Sequence, residues 1–213
     1  MQGDKYDSNY EYFNIHYIDW SRPVYRLWWF CRALIEIVIP IGLPRKSKIL
    51  SVGAGLGQLE HILSKVFGYD VYLVDISPYA KKLNKDLFKN SKYTISNSDK
   101  LPFPDDFFDL VISYDLLEHL ADKNLLEYTF TEMKRVLKKR KGINMFHKIT
   151  VLGDKEINQD ETHHLKWTPE KWEKWFSNEQ MYTVKKTYRY IPVWSNRKIR
   201  FVKVLGEFYL SLF

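Results

Sequence analysis

The chain has 213 residues, enough for one domain with a sizeable core and too few for two of ordinary size. Hydrophobic residues make up 45% and charged residues 28%, which excludes a disordered or low-complexity chain. The net charge of +7 favours partners carrying phosphate or carboxylate, yet the lysines are spread over KKLNKDLFKNSK, KRVLKKRK and KKTYRYIPV, so nucleic acid is the disfavoured partner.

The opening MQGDKYDSNYEYF has neither the basic start nor the apolar run of a secretory leader. A single cysteine, Cys31, excludes an internal disulfide framework, and a cytoplasmic, reducing location is expected. Residues 1–45 are rich in aromatics, among them Tyr6, Tyr10, Tyr12, Tyr17 and Trp20, and read as a helical cover that also suits an apolar or ring-bearing acceptor. Residues 46–213 then form the main unit of a single structural domain. From Val24 to Ile39 the chain is apolar but carries Arg26, Arg32 and Glu36 and falls short of the ~20 residues that span a bilayer. It predicts a packed helix with Ser21 as cap, Pro23 in the first turn, Pro40 as the stop and Cys31 as a buried, inert hydrophobe.

From Lys48 onward, β-type runs alternate with segments of helical period, the pattern of a doubly wound, mostly parallel α/β sheet. KILSV is the first strand, and the next helix aligns Leu59, Ile62, Leu63, Val66 and Phe67 before stopping at Gly68. VYLVD is the second strand, a helix follows around Tyr79 to Lys89, and YTIS is the third. After the turn LPFPDD come a fourth strand in FDLVISY, a helix from about Asp122 to Leu137, and a fifth strand in INMFH. Beyond the polar connection GDKEINQDETHH, Thr168 and Pro169 open a helix and YTVKKTYRY reads as a strand. At the C-terminus Phe201, Val204, Leu205, Phe208, Tyr209 and Leu212 recur at helical spacing, which predicts an amphipathic helix in preference to a last strand. Its Arg197, Lys198, Arg200 and Lys203 make either a basic rim on a docked helix, the preferred reading, or a peripheral membrane contact.

The richest stretch is ILSVGAGLGQLE, where a strand runs into Gly53, Gly55 and Gly57 and then a helix. Alternate glycines let the backbone turn sharply and leave room for a ligand near the helix N-terminus. The dinucleotide fingerprint places its third glycine where Gln58 stands, which disfavours NAD. Asp75 ends the second strand 22 residues after Gly53, where it either accepts hydrogen bonds from a ribose or caps the next helix through Ser77 and Pro78.

Together ILSVGAGLG, YLVDIS and SNSDKLPFPDDFFDLVISYDLLEHL resemble the class I S-adenosylmethionine-dependent methyltransferases, in the branch similar to ubiquinone and menaquinone biosynthesis methyltransferases, over roughly Ile49 to Lys148. The resemblance implies a Rossmann-like methyltransferase fold with S-adenosylmethionine as cofactor. It places Gly53, Ala54, Gly55 and Gly57 under the methionine and ribose, Asp75 on the ribose hydroxyls, Ile76 on adenine, and Asn97, Ser98 and Asp99 along the adenine edge. Ser51 and Asn97 stand where the family usually carries acids, which points to weaker cofactor binding. Asp115, after the fourth strand, faces the methionine end and the acceptor in the family, its alternative being a cap for the LLEHL turn.

Methyl transfer needs alignment of acceptor, methyl and sulfur more than it needs acid or base, although a hydroxyl acceptor is helped by a base. His163 and His164, at the end of the polar connection, are the base candidates; His119 reads as packing or capping and His147 as a core histidine. No metal site is expected, because Asp160, Glu161, His163 and His164 crowd one loop. The leading expectation is methyl transfer to an O or N atom of a small-molecule, lipid or glycan acceptor. The alternatives are a nucleic-acid methyltransferase and a cofactor-binding module without catalysis.

Overall fold

The five apolar runs between Lys48 and Ile149 all become strands of one sheet. The computed structural model of the chain describes residues 10–89, 91–139, 143–151, 161–178, 182–195 and 198–212. Two helices come first, α1 over Tyr10–Asp19 and α2 over Pro23–Arg32. The main unit then follows as β1 (Lys48–Val52), α3 (Gln58–Lys65), β2 (Asp70–Asp75), α4 (Pro78–Leu87), β3 (Lys92–Ile95), β4 (Leu110–Tyr114), α5 (Lys123–Val136), β5 (Ile143–Ile149), α6 (Pro169–Asn178), β6 (Tyr182–Ser195) and β7 (Lys198–Leu212).

The strand order is β3-β2-β1-β4-β5-β7-β6, with β1 to β5 parallel. In β1, Ile49 to Val52 are all buried because helices cover both faces of the sheet. Period-two alternation divides its side chains. Leu50 and Val52 join Val111, Phe130, Met145 and Trp172 in one core, while Ile49 joins Leu59, Leu63, Ile112 and the α2 extension in the other. The chain order reverses between β1 and β4, so the ends of those strands open a crevice of the kind where doubly wound sheets bind ligands. Two local signals set the flanking helices: Ser77 Oγ accepts from the Ala80 N–H at the start of α4, and Asp122 does the same for Leu125 at the start of α5.

Three expectations are corrected in the N-terminal segment. Ser21 is not the cap of α2; Arg22 precedes it with no side-chain cap, and Ser21 Oγ donates to the Ile18 carbonyl. Pro40 does not stop the helix, which passes through a π turn at Ala33–Val38 into a last turn at Ile39–Ile41 and ends at Gly42, whose φ is 63°. The wider π turn, in which the Ile39 N–H reaches the Leu34 carbonyl, takes up the donor and space that a proline ring removes. Cys31 is exposed rather than buried, because this helix turns Ala33 and Ile37 inward and leaves Val24, Leu27, Cys31, Ile35 and Ile39 on its outer face.

The C-terminal segment is a strand and not a helix. β7 runs antiparallel to β5, with Tyr209 opposite His147, and pairs along its whole length with β6. A run rich in Ile, Val, Phe and Tyr completes the hydrogen-bond ladder that β5 would otherwise leave open, and that long-range pairing outweighs local helical spacing. Lys198, Arg200 and Lys203 therefore lie on a strand, and the membrane contact expected of a C-terminal helix has no helix to carry it; Arg197 lies outside the described residues. Pro192 is tolerated because β6 is the outermost strand. Among the described residues no helix is long and apolar enough to cross a membrane.

Candidate active site

The glycine loop leaves β1 at Gly53 and enters α3 at Gln58. Gly53 and Gly57 have φ of 72° and 75°, and a Cβ on Gly57 would lie 2.5 Å from Leu73 Cδ2 and 2.6 Å from Asn84 Nδ2. Glycine is thus required there twice over, by backbone angle and by space. The amides of Gly53 and Ala54 both donate to the Val74 carbonyl, at 2.8 and 3.0 Å. From beneath, the Tyr93 hydroxyl donates to the Gly55 carbonyl and Asn84 Nδ2 to the Leu56 carbonyl, each at 2.8 Å.

Asp75 closes this loop from the neighbouring strand. Its Oδ2 accepts from the Gly55 amide at 2.8 Å and its Oδ1 from the Ser77 amide at 2.9 Å. Ser77, not Asp75, caps α4. An ionised carboxylate is acceptor-only, with about four lone-pair directions, the character that hydroxyls of a ribose require. Ile76 is half-buried beside Asp75, and Asn97 and Asp99 are exposed beyond β3. The Ser98 hydroxyl pairs with Thr129 on α5 at 2.7 Å.

Sequence reasoning missed Glu60. It lies on the first turn of α3, only 4% exposed, and accepts a 2.6 Å hydrogen bond from Ser51 Oγ. Burial raises its pKa from 4.5 to about 7, and the charge of Asp75 pushes the same way against the Ser51 hydrogen bond. A carboxyl group therefore stands beneath the glycine loop after all, supplied by α3 in place of the β1 position where Ser51 stands. The signal was legible only as the paired spacing of Ser51 and Glu60 across the loop.

On the other side of the crevice, Asp115 adopts a left-handed φ of 49° after β4. Its carboxylate pairs with Lys148 Nζ and accepts from Thr150 Oγ1 at 3.0 Å. Three residues on, Glu118 is fully buried: Oε1 accepts from the Thr150 amide at 2.6 Å, while Oε2 has no hydrogen-bond partner among the described residues. Burial, reinforced by the Asp115 charge and opposed by Lys148, lifts its pKa to about 8. The Glu118 carbonyl accepts from the amides of His164 and Leu165, both at 2.9 Å, which ties the connection after β5 to this turn.

The two base candidates are separated by that tie. His163 is buried, its ring centroid 4.4 Å from that of His119, whereas His164 is exposed. Asp160 lies outside the described residues. His147 is buried, bonded to Ser113 Oγ at 2.8 Å, and held neutral by burial with a pKa of about 3. Behind the rim, Arg32 pairs with Glu36 and lies over the rings of Trp28, Trp29 and Tyr114, and Tyr114 donates to Glu36 at 2.6 Å. The cover helix is thereby fastened to the end of β4.

Residues 50–143 match the family described as "Methyltransferase domain". Over that span, a little under half of the chain, the sequence is similar to methyltransferase domains. It is similar to the ubiquinone/menaquinone biosynthesis C-methyltransferase UbiE of Pectobacterium carotovorum, 33% identical over 126 residues that cover 55% of this chain and 47% of that protein. A 2-methyl-6-phytyl-1,4-hydroquinone methyltransferase of Synechocystis is 33% identical over 99 residues, covering 45% of this chain and 30% of that protein. The chain spans about half the length of the UbiE relatives it matches. Among solved structures, a SAM-dependent methyltransferase from Archaeoglobus fulgidus has a TM-score of 0.67 at 17% identity, covering 88% of this chain and 94% of its own. At that identity the likeness carries the methyltransferase fold alone.

Proposed function

We propose that this protein transfers the methyl group of S-adenosylmethionine to a small-molecule acceptor, with a lipid-borne hydroxylated ring the best-supported class. The observation that carries the first part is the position of Asp75, at the end of β2 and one hydrogen bond from the Gly55 amide of the glycine loop. Gly53, Ala54, Gly55 and Gly57 would lie under the methionine and ribose, with Ile76 on the adenine and Asn97, Ser98 and Asp99 along its edge. The second part draws on the relatives, which are named for quinone and hydroquinone methylation.

The cofactor supplies a methyl group already activated by the sulfonium charge. An acceptor nucleophile forms its bond to that carbon as the carbon–sulfur bond breaks, and sulfur keeps the electron pair. For a ring hydroxyl, a proton must leave whether the oxygen or the adjacent ring carbon is methylated. Asp115, His119 and His163 form the rim where that proton would be received, and the exposed His164 is the weaker candidate. Nitrogen, lipid and glycan acceptors obey the same in-line geometry. Scattered positive charge alone supports a nucleic-acid acceptor.

Calorimetric titration with S-adenosylmethionine and S-adenosylhomocysteine tests the cofactor assignment, with Asp75→Ala expected to weaken both. A wild-type protein that binds neither overturns it. Transfer of labelled methyl into an extract, followed by identification of the labelled product, tests the acceptor class; label confined to nucleic acid would overturn the small-molecule reading.

A further inference from the structure

Glu118, His119 and His163 come together at the crevice from two different segments. One ligand atom from each, a carboxylate oxygen and two ring nitrogens, lies within 4.8 Å of the others. The backbone enforces this: the Glu118 carbonyl holds the amides of His164 and Leu165, which fixes His163 beside the 3-10 turn Leu117–His119.

We propose that this trio is a binding site for one divalent transition-metal ion, of the Zn2+ or Mn2+ kind. Two imidazoles and one carboxylate are the donor set such ions prefer over magnesium, and three protein ligands leave coordination positions open. Glu118 Oε2 is an independent sign of an absent partner, since it is buried and no described residue donates to it. His119 is prepared in the manner of a ligand. Its Nδ1 lies 3.2 Å from the Thr162 carbonyl and 2.9 Å from the Thr162 hydroxyl, and a proton donated to that carbonyl makes Nε2 the acceptor nitrogen of the ring.

The local charge agrees. Lys148 is already paired with Asp115, leaving the buried Glu118 as the remaining acid of this cluster. Donor atoms around zinc stand about 3.3 Å apart. Binding would draw these atoms inward from their present separation, which is within 4.8 Å. A cation there would hold an acceptor oxygen and ease its loss of a proton; that consequence rests on the methyl-transfer reading, whereas the site itself does not.

The test uses the full chain, stripped with a chelator, dialysed, and titrated with ZnCl2 and MnCl2 in a calorimeter, with bound metal counted by mass spectrometry. One equivalent is expected for the wild type. Glu118→Gln keeps the acceptor for the Thr150 amide, and with His163→Ala it should lower affinity at least tenfold with circular dichroism unchanged. His164→Ala, one residue away and exposed, should retain the ion. No retained metal in the wild type, or equal retention in Glu118→Gln and His163→Ala, overturns the site. S-adenosylhomocysteine binding to the stripped protein is read separately, so failure of the metal site and failure of the cofactor assignment are distinguishable.

Discussion

Replacing Glu60 by glutamine should stabilise the protein above about pH 4.5, with the gain growing as pH rises and levelling off above about pH 7. The buried carboxyl has a folded pKa of about 7 against 4.5 for the free side chain. Unfolding above pH 4.5 lets it ionise in water, whereas in the folded chain it keeps its proton until about pH 7. A raised folded pKa gives stability that is fully present below the unfolded value and lost as pH climbs through the folded one. At pH 8 that loss is about 3 kcal/mol, from 1.36 kcal/mol per pKa unit. Glu60→Gln accepts the same hydrogen bond from Ser51 and has no proton to lose. Its melting temperature should match wild type near pH 4.5 and exceed it by roughly 6 to 12 °C at pH 8, at 2–4 °C per kcal/mol for a chain of this size. Differential scanning calorimetry at both pH values reads the gap directly, since titrating groups not coupled to Glu60 cancel between the two proteins. A gap that fails to widen with pH, or that is larger in acid, refutes the assignment of Glu60 as a buried acid forced to ionise.

Three further outcomes follow from the site and its supports. Asp75→Ala removes a charged acceptor and should weaken S-adenosylhomocysteine binding 10- to 100-fold by calorimetry, at about 1.5–3 kcal/mol for a hydrogen bond to a charged group. Gly57→Ala forces a Cβ against Leu73 and Asn84 at positive φ and should cost about 2–4 kcal/mol in urea denaturation. Arg135 donates to the carbonyls of Leu101 and Phe103 and pairs with Asp105 and Glu132, clamping the LPFPDD turn onto α5. Arg135→Ala should cost about 1–3 kcal/mol and speed amide exchange at Leu101 and Phe103 while leaving β1 protected, as hydrogen-exchange mass spectrometry would show.

The parallel strands were readable because burial on both faces leaves little but apolar residues, and the helices between them because their apolar residues recur every three or four positions. The tail defeated the same logic. Phe201, Val204, Leu205 and Phe208 fit a helix locally, and only the open edge of β5, more than 50 residues earlier, selects a strand. Cys31 went wrong for a related reason: α2 is apolar on nearly every side, so periodicity cannot say which side is covered. At the site, Asp75 and the glycines announce themselves by spacing along one β-α-β unit. Glu118 and Glu60 do not, because each looks like an ordinary surface acid until a second segment buries it.

A Cβ built on Gly53 would stand 2.9 Å from Leu116 Cδ1. The glycine loop and the turn bearing Glu118 and His119 are thus in hard contact, with no slack between them. Filling one cannot shift the backbone without pressing on the other, so the two halves of the crevice are mechanically one part, and a substitution at Leu116 will be felt on both sides of it.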